Sequence, residues 1–99
     1  NLLRADASYV IIGGTGGLGR SMSRWMIEKG ARNIVLLSRK GNTDRKVDEL
    51  IDEAKAGGAN VIVKACDVAS KDQVEKLVSV DLSHLPPIRG IIHAAMVLD

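Results

Sequence analysis

The fold of this 99-residue chain is decided by residues 13–19, which read Gly13-Gly14-Thr15-Gly16-Gly17-Leu18-Gly19. The apolar, β-branched run Tyr9 to Ile12 precedes them and predicts a buried strand. After them, apolar residues recur at the spacing of one helical face, at Leu18, Met22, Trp25 and Met26. The glycines therefore lie in a turn between a strand and an amphipathic helix that Gly30 can end. We expect Trp25 and the methionines of this helix to lie in the core.

The rest of the chain continues the alternation of strands and helices. Apolar runs predict further strands at Ile34 to Leu37, at Val61 to Val63 and within Ile88 to Ala95. A second helix is predicted after a cap at Thr43 or Asp44, and Gly57-Gly58 ends it. A capping box begins a third helix, with the Gln73 side chain placed to reach back to the Ser70 amide.

This order of elements predicts an α/β fold with a Rossmann-like, doubly wound parallel sheet. The expected spatial order of the strands is 3-2-1-4, with the fourth strand at an open edge. The chain begins with Asn1 and stops at Asp99 directly after an apolar run. We therefore interpret residues 1–99 as the N-terminal part of one larger domain.

Composition argues against several classes of function. A formal net charge of +2 lacks the large basic excess that accompanies binding to nucleic acid or to membrane surfaces. Cys66 is the single cysteine, and no Cys and His residues have metal-site spacing. The sequence contains neither an apolar stretch long enough to cross a bilayer nor a signal-peptide pattern in residues 1–20. We expect a cytoplasmic protein with no metal, nucleic-acid or membrane partner.

The glycine-rich turn has the pattern of a dinucleotide-binding site. Such sites need glycines for a tight turn, for close approach of the backbone to a pyrophosphate, and for packing of the helix on the strand. Gly14, Gly16 and Gly19 match GxGxxG, while Gly13, Gly17 and Gly19 match the GxxxGxG of short-chain dehydrogenases. The amides and dipole at the helix start would hold the anion. A glycine loop without a ligand is the alternative, and the position between strand and helix disfavours it.

Arg39 follows the second predicted strand, about twenty residues after the last glycine, where NAD-dependent enzymes carry Asp or Glu. A carboxylate would repel a 2′-phosphate, whereas a guanidinium pairs with it through charge-assisted hydrogen bonds. The sequence therefore predicts NADP(H) rather than NAD(H), with Ser38 and Lys40 as neighbouring donors. The alternative is that Arg39 and Lys40 belong to a solvated loop.

Further candidate site residues follow the third and fourth strands. Asp67 is placed to accept from the adenine amino group and Val68 to pack on the ring; alternatively, Asp67 is a loop or capping residue. Ala94 and Ala95 provide small side chains where the backbone must pass close to the ribose and nicotinamide. His93 is also a candidate in this segment, although we favour a packed histidine over a catalytic one.

Four segments in order resemble the ketoreductase domain of type I polyketide synthases: residues 9–20, 30–41, 66–68 and 90–95. Residues 3–8 and 96–99 resemble the fungal, highly reducing iterative members in particular. The resemblance implies hydride transfer from NADPH to the β-keto group of an intermediate carried on an acyl carrier protein, within a megasynthase of several domains. It also assigns Thr15 and Leu18 to the pyrophosphate and ribose. Ile12 and Met96 depart from patterns that are common among relatives.

By the same resemblance, the family's catalytic Ser, Tyr and Lys or Asn lie beyond Asp99. Residues 1–99 would then hold the cofactor, contain no catalytic residue and be inactive alone. One alternative is a non-catalytic Rossmann module with a structural or nucleotide-binding role, and another is a different NADP-dependent short-chain dehydrogenase. A methyltransferase is disfavoured, because an acidic residue rather than Arg39 would be expected after the second strand.

Overall fold

The computed structural model describes residues 3–13, 15–41 and 45–94, and within these ranges it contains one sheet of parallel strands. The strands are β1 (Ser8–Ile12), β2 (Asn33–Ser38), β3 (Asn60–Ala65) and β4 (Ile88–His93). Their order is β3-β2-β1-β4. The predicted α/β class and the strand order 3-2-1-4 are therefore confirmed.

Helices connect successive strands. They are α1 (Gly17–Glu28), α2 (Arg45–Ala56) and α3 (Lys71–Lys76), and α3 continues into a π-helical turn over Leu77–Asp81. Met26 of α1 and Leu50 of α2 belong to one core cluster, while Leu77 belongs to another. The sheet is thus covered on both faces, and no helix within the described ranges is long and apolar enough to cross a membrane.

Burial on both faces explains the continuous apolar run of β2. Ile34 and Leu36 pack in the cluster that contains α1 and α2, whereas Val35 and Leu37 pack in the cluster that contains Leu77. All four side chains are buried because β2 lies between β1 and β3. A central strand of a doubly wound sheet therefore needs apolar residues at consecutive positions rather than at alternate ones.

Two glycines end the longer helices, as predicted. Gly30 has a φ of 111° and Gly58 a φ of 84°, in the region that glycine adopts without strain. After α1, the Ala31 amide donates to the Met26 carbonyl at 3.0 Å and the Gly30 amide to the Ile27 carbonyl at 3.1 Å, which is a Schellman motif. The predicted caps of α2 at Thr43 and Asp44 lie outside the described residues.

The prediction for the buried face of α1 is wrong at Trp25, which is 49% exposed. The face turned to the core instead carries Gly19, Ser23 and Met26. A helix turns about 100° per residue, so Trp25 lies one such step away from Met26. The Ser23 hydroxyl donates to the Gly19 carbonyl at 2.9 Å, so its burial leaves no donor unsatisfied. Two small residues thus share the contact with Met26, and a count of apolar residues alone misplaces Trp25.

The capping box of α3 is half confirmed. The Gln73 amide donates to the Ser70 hydroxyl at 3.4 Å, as predicted. The Gln73 side chain, however, accepts from the Asp67 amide at 2.8 Å and not from Ser70. The Ser70 amide already donates to the Asp67 carbonyl at 2.9 Å, which turns the loop so that the Asp67 amide faces Gln73. The first turn of α3 therefore fixes the backbone at Asp67.

Candidate functional site

A crevice of about 350 Å³ lies at the carboxyl ends of the strands. Five predicted site residues line it, namely Gly13, Ser38, Arg39, Val68 and His93. The strand order reverses between β1 and β4, and ligands of doubly wound sheets bind outside the carboxyl ends of the strands at such a switch point. These five residues thus meet where this fold places its ligands.

The glycine-rich turn begins at the crevice, which Gly13 lines. Gly13 has a φ of 72°, which favours glycine, and its amide donates to the Leu37 carbonyl at 2.8 Å. Gly16 is the N-cap of α1, with a φ of −75° and a ψ of 175°. A Cβ added at Gly16 would meet no heavy atom of the described residues within 4 Å. Packing among the described residues therefore does not require glycine at position 16, whereas a ligand lying against the backbone would.

The start of α1 is suited to an anion. The first N–H groups of a helix have no intrahelical partner, and the helix dipole places partial positive charge there. Gly17 is exposed, Thr15 and Leu18 are partly buried, and Gly19 is buried against the sheet. Gly19 thus serves the close packing expected of the third glycine in the motif. Gly14 lies outside the described residues.

Sequence reasoning missed Arg20, which contacts this turn. Its Nη1 donates to the Thr15 carbonyl at 2.8 Å, and its Nη2 lies 3.8 Å from the position that a Cβ on Gly17 would take. The signal in the sequence was a basic residue in the first turn of a helix, where the dipole disfavours a cation.

Arg39 and Asp67 come together at the lip of the crevice. Arg39 Nε lies 4.0 Å from Asp67 Oδ1, with side-chain exposures of 82% and 42%. An ion pair this exposed contributes at most about 1 kcal/mol to stability. Its weakness leaves Arg39 free to exchange this partner for a more highly charged one.

The neighbours of Arg39 differ in their orientation. Ser38 is partly buried, and its hydroxyl accepts from the Lys40 amide at 3.4 Å. Its carbonyl accepts from the Cys66 amide at 2.9 Å, which joins the ends of β2 and β3. Lys40 is exposed. The backbone at the end of β2 is therefore held in place while the two basic side chains reach into solvent.

Asp67 has the contacts of a loop residue and also pairs with Arg39, which lines the crevice. Its Oδ1 accepts from the Ala69 amide at 3.0 Å, as the alternative interpretation expects. The neighbouring Val68 is 40% exposed and lines the crevice. The apolar Val68 side chain suits the face of a heteroaromatic ring, and the neighbouring Asp67 carboxylate suits a donor on the edge of that ring.

The fourth strand contributes differently from the sequence prediction. His93 is exposed and lines the crevice, so the expectation of a packed histidine is wrong. Ala94 is only 2% exposed and packs in the core cluster of α1 and α2, while Ala95 lies outside the described residues.

Cys66 is buried, as predicted, and burial raises the pKa of its thiol. The described ranges contain no cluster of His, Cys, Asp and Glu able to hold a metal ion.

Comparison with known proteins identifies the family. The sequence model of the KR domain matches residues 7–99. The chain belongs to the KR domain family. Highly-reducing polyketide synthase 1 of Aureobasidium melanogenum is 50% identical over 97 residues, which cover 98% of this chain. Squalestatin tetraketide synthase of Phoma sp. is 49% identical over 96 residues, or 97% of the chain. The chain spans 4% of the length of each of these relatives.

Solved structures of similar KR domains support the fold. The ketoreductase from the first module of phoslactomycin biosynthesis in Streptomyces sp. HK803 superposes with a TM-score of 0.81 at 32% identity, covering 95% of this chain and 22% of that one. A-type ketoreductases from a modular polyketide synthase give a TM-score of 0.78 at 31% identity, covering 92% and 18%. The predicted resemblance to polyketide synthase ketoreductases is therefore confirmed, and ketoreduction is the chemistry that this family membership implies.

Proposed function

We propose that these residues form the NADP(H)-binding part of a ketoreductase that reduces the β-keto group of a carrier-bound polyketide intermediate. The observation that carries the proposal is that Arg39 and Gly13, the first residue of the glycine turn, line the same crevice at the carboxyl ends of the strands. A guanidinium here suits a 2′-phosphate, and the open space at Gly16 suits a pyrophosphate against the backbone. When bound, NADPH supplies the hydride.

Each wall of the crevice has its own task in this proposal. The glycine turn and the first amides of α1 bind the pyrophosphate, and the end of β2 binds the 2′-phosphate. The loop after β3 receives the adenine, and the end of β4 borders the ribose and nicotinamide. The residues concerned are Gly13, Gly14, Thr15, Gly16, Gly17, Leu18 and Gly19 in the turn, Ser38, Arg39 and Lys40 after β2, Asp67 and Val68 after β3, and His93, Ala94 and Ala95 at β4.

Proton transfer in this proposal depends on residues outside the chain. Tyr9 is the single tyrosine of the sequence, and it is 7% exposed in the core. Its hydroxyl accepts from the Arg4 amide at 2.9 Å, so it is committed to a structural contact. We place residues 1–99 in a longer cytoplasmic protein, here called the parent protein, that supplies the catalytic Ser, Tyr and Lys or Asn. Its other domains and an acyl carrier protein are then the partners, and residues 1–99 alone are inactive.

The direct test is oxidation of NADPH by the parent protein with a short β-ketoacyl thioester as substrate. We expect oxidation that depends on the thioester and a thermal midpoint that NADPH raises, since a ligand that binds the native state stabilises it. Stabilisation without oxidation would favour the non-catalytic nucleotide-binding module. Absence of both effects would contradict the proposal.

A further inference from the structure

The Arg20 side chain folds back over the first turn of its own helix. Its Nη1 donates to the Thr15 carbonyl at 2.8 Å, and the side chain is partly buried. We propose that Arg20 is a positioning residue that holds the glycine turn in the conformation that binds pyrophosphate. This inference rests on the proposed function, because it concerns the same cofactor site.

Peptide geometry links the Arg20 contact to the opposite side of the turn. The peptide group between Thr15 and Gly16 is planar and trans, so its C=O and N–H point in opposite directions. A carbonyl held by Arg20 therefore directs the Gly16 N–H away from the guanidinium. Gly16 is the N-cap of α1, where N–H groups form the anion site. Arg20 thus fixes a donor that it does not itself touch.

The turn needs such a restraint because its residues provide few of their own. Glycine has more conformational freedom than any other residue, and glycines flank Thr15 on both sides in the sequence. Most helices begin with a Ser, Thr, Asp or Asn side chain that fixes the first turn, but the N-cap of α1 is Gly16. The hydrogen bond from Arg20 joins the residue before the N-cap to the first helical turn, and so replaces that restraint.

Arg24, one helical turn further along α1, is the natural control. Its Nε donates to Glu53 Oε2 at 2.8 Å, so its side chain pairs with α2 and not with the glycine turn. The side chains in this pair are 45% and 61% exposed. Arg24→Gln therefore removes the same charge from the same helix and leaves the hydrogen bond from Arg20 to the Thr15 carbonyl intact.

The test measures binding of three ligands to the parent protein: NADPH, NADH and adenosine 2′-monophosphate, which lacks a pyrophosphate. We expect Arg20→Gln to raise the Kd of NADPH and of NADH by the same factor, about tenfold, which corresponds to roughly the loss of one hydrogen bond from a charged donor. The Kd of adenosine 2′-monophosphate should stay unchanged, while the thermal midpoint without ligand should fall by a few degrees at most, since one hydrogen bond that restrains the turn is lost. Arg24→Gln should change none of these Kd values.

Three results would overturn the inference. The first is an unchanged Kd for NADPH in Arg20→Gln. The second is a loss of affinity for NADPH alone, which would instead assign Arg20 to the 2′-phosphate. The third is an equal loss of affinity in Arg24→Gln. If Arg20→Gln does not fold, Arg20→Lys carries the same test with a smaller expected rise in Kd. A wild-type parent protein that binds neither dinucleotide would instead contradict the proposed function.

Discussion

Replacement of Arg39 by aspartate tests the choice of cofactor most directly. The guanidinium is 82% exposed and its partner in the chain, the Asp67 carboxylate, is 4.0 Å away. The substitution therefore removes little that stabilises the fold. In the proposed complex it would remove the charge-assisted hydrogen bonds to the 2′-phosphate. It would also place a second carboxylate beside Asp67, and this carboxylate would repel the phosphate.

The magnitude follows from the contacts that are lost. Hydrogen bonds to charged groups contribute about 1.5–3 kcal/mol, so Arg39→Asp should weaken NADPH binding by about that amount. This corresponds to a rise of roughly 10- to 160-fold in Kd. The lower half of the range is expected, because solvent screens so exposed a side chain. NADH has no 2′-phosphate, so its Kd should change far less.

The assay is a titration of the parent protein with NADPH and NADH at the same ionic strength, with Arg89→Asp as the matched control. Arg89 is exposed near the beginning of β4, whereas the crevice lies at the carboxyl ends of the strands, so the control makes the same change in charge at the opposite end of the sheet. It should leave both Kd values unchanged. An equal loss of affinity for the two cofactors in Arg39→Asp would refute the role assigned to Arg39.

Three further substitutions test the turn, the sheet and the cysteine. Gly16→Ala should cost the protein without ligand no more than about 1 kcal/mol, the penalty of alanine at an N-cap, because its Cβ meets no described atom within 4 Å. It should weaken NADPH and NADH alike, and unaltered affinity would remove the argument for a ligand at this backbone. Gly90→Ala should lower the free energy of unfolding in urea by about 1–3 kcal/mol, since its Cβ would lie 2.9 Å from Tyr9 Cδ1. A smaller cost in a Tyr9→Leu background would identify the ring as the cause, and an equal cost would not. The raised pKa of the Cys66 thiol means that, just above the ordinary thiol pKa, only the unfolded state ionises. The free energy of unfolding should therefore fall as pH rises through this range. In urea titrations, Cys66→Ala should show a smaller fall.

The fold was predictable because its decisive signals lie in local sequence. The runs Tyr9 to Ile12 and Ile34 to Leu37 are continuous because their strands are central and buried on both faces. Gly30 and Gly58 end helices through positive φ angles, which depend on the residue type rather than on distant contacts. Periodicity and turn chemistry were therefore sufficient for the order of the elements along the chain, and the right-handed crossover rule then gave the spatial order of the strands.

The face of α1 was not predictable in the same way. Apolar periodicity assigns weight to Leu18 and Trp25 and none to Gly19 or Ser23, although the small residues are the ones that let the helix approach the sheet. A hydroxyl that donates to its own helix costs little on burial, but this route is visible only in three dimensions. Because Gly19 and Ser23 lie on the face turned to the core, Trp25 lies off that face and is exposed.

The candidate site was also predictable only in part. Positions set by the backbone were correctly placed: Gly13 and Arg39 follow strand ends, so the parallel sheet brings them to one edge. Contacts that depend on the path of a long side chain were not predicted. Arg20 bends back to Thr15, and Gln73 reaches Asp67. Both missed contacts hold backbone groups next to the crevice rather than lining it. Sequence motifs thus find residues that line the crevice, whereas the contacts that hold the neighbouring backbone emerge only when side chains are traced to their partners.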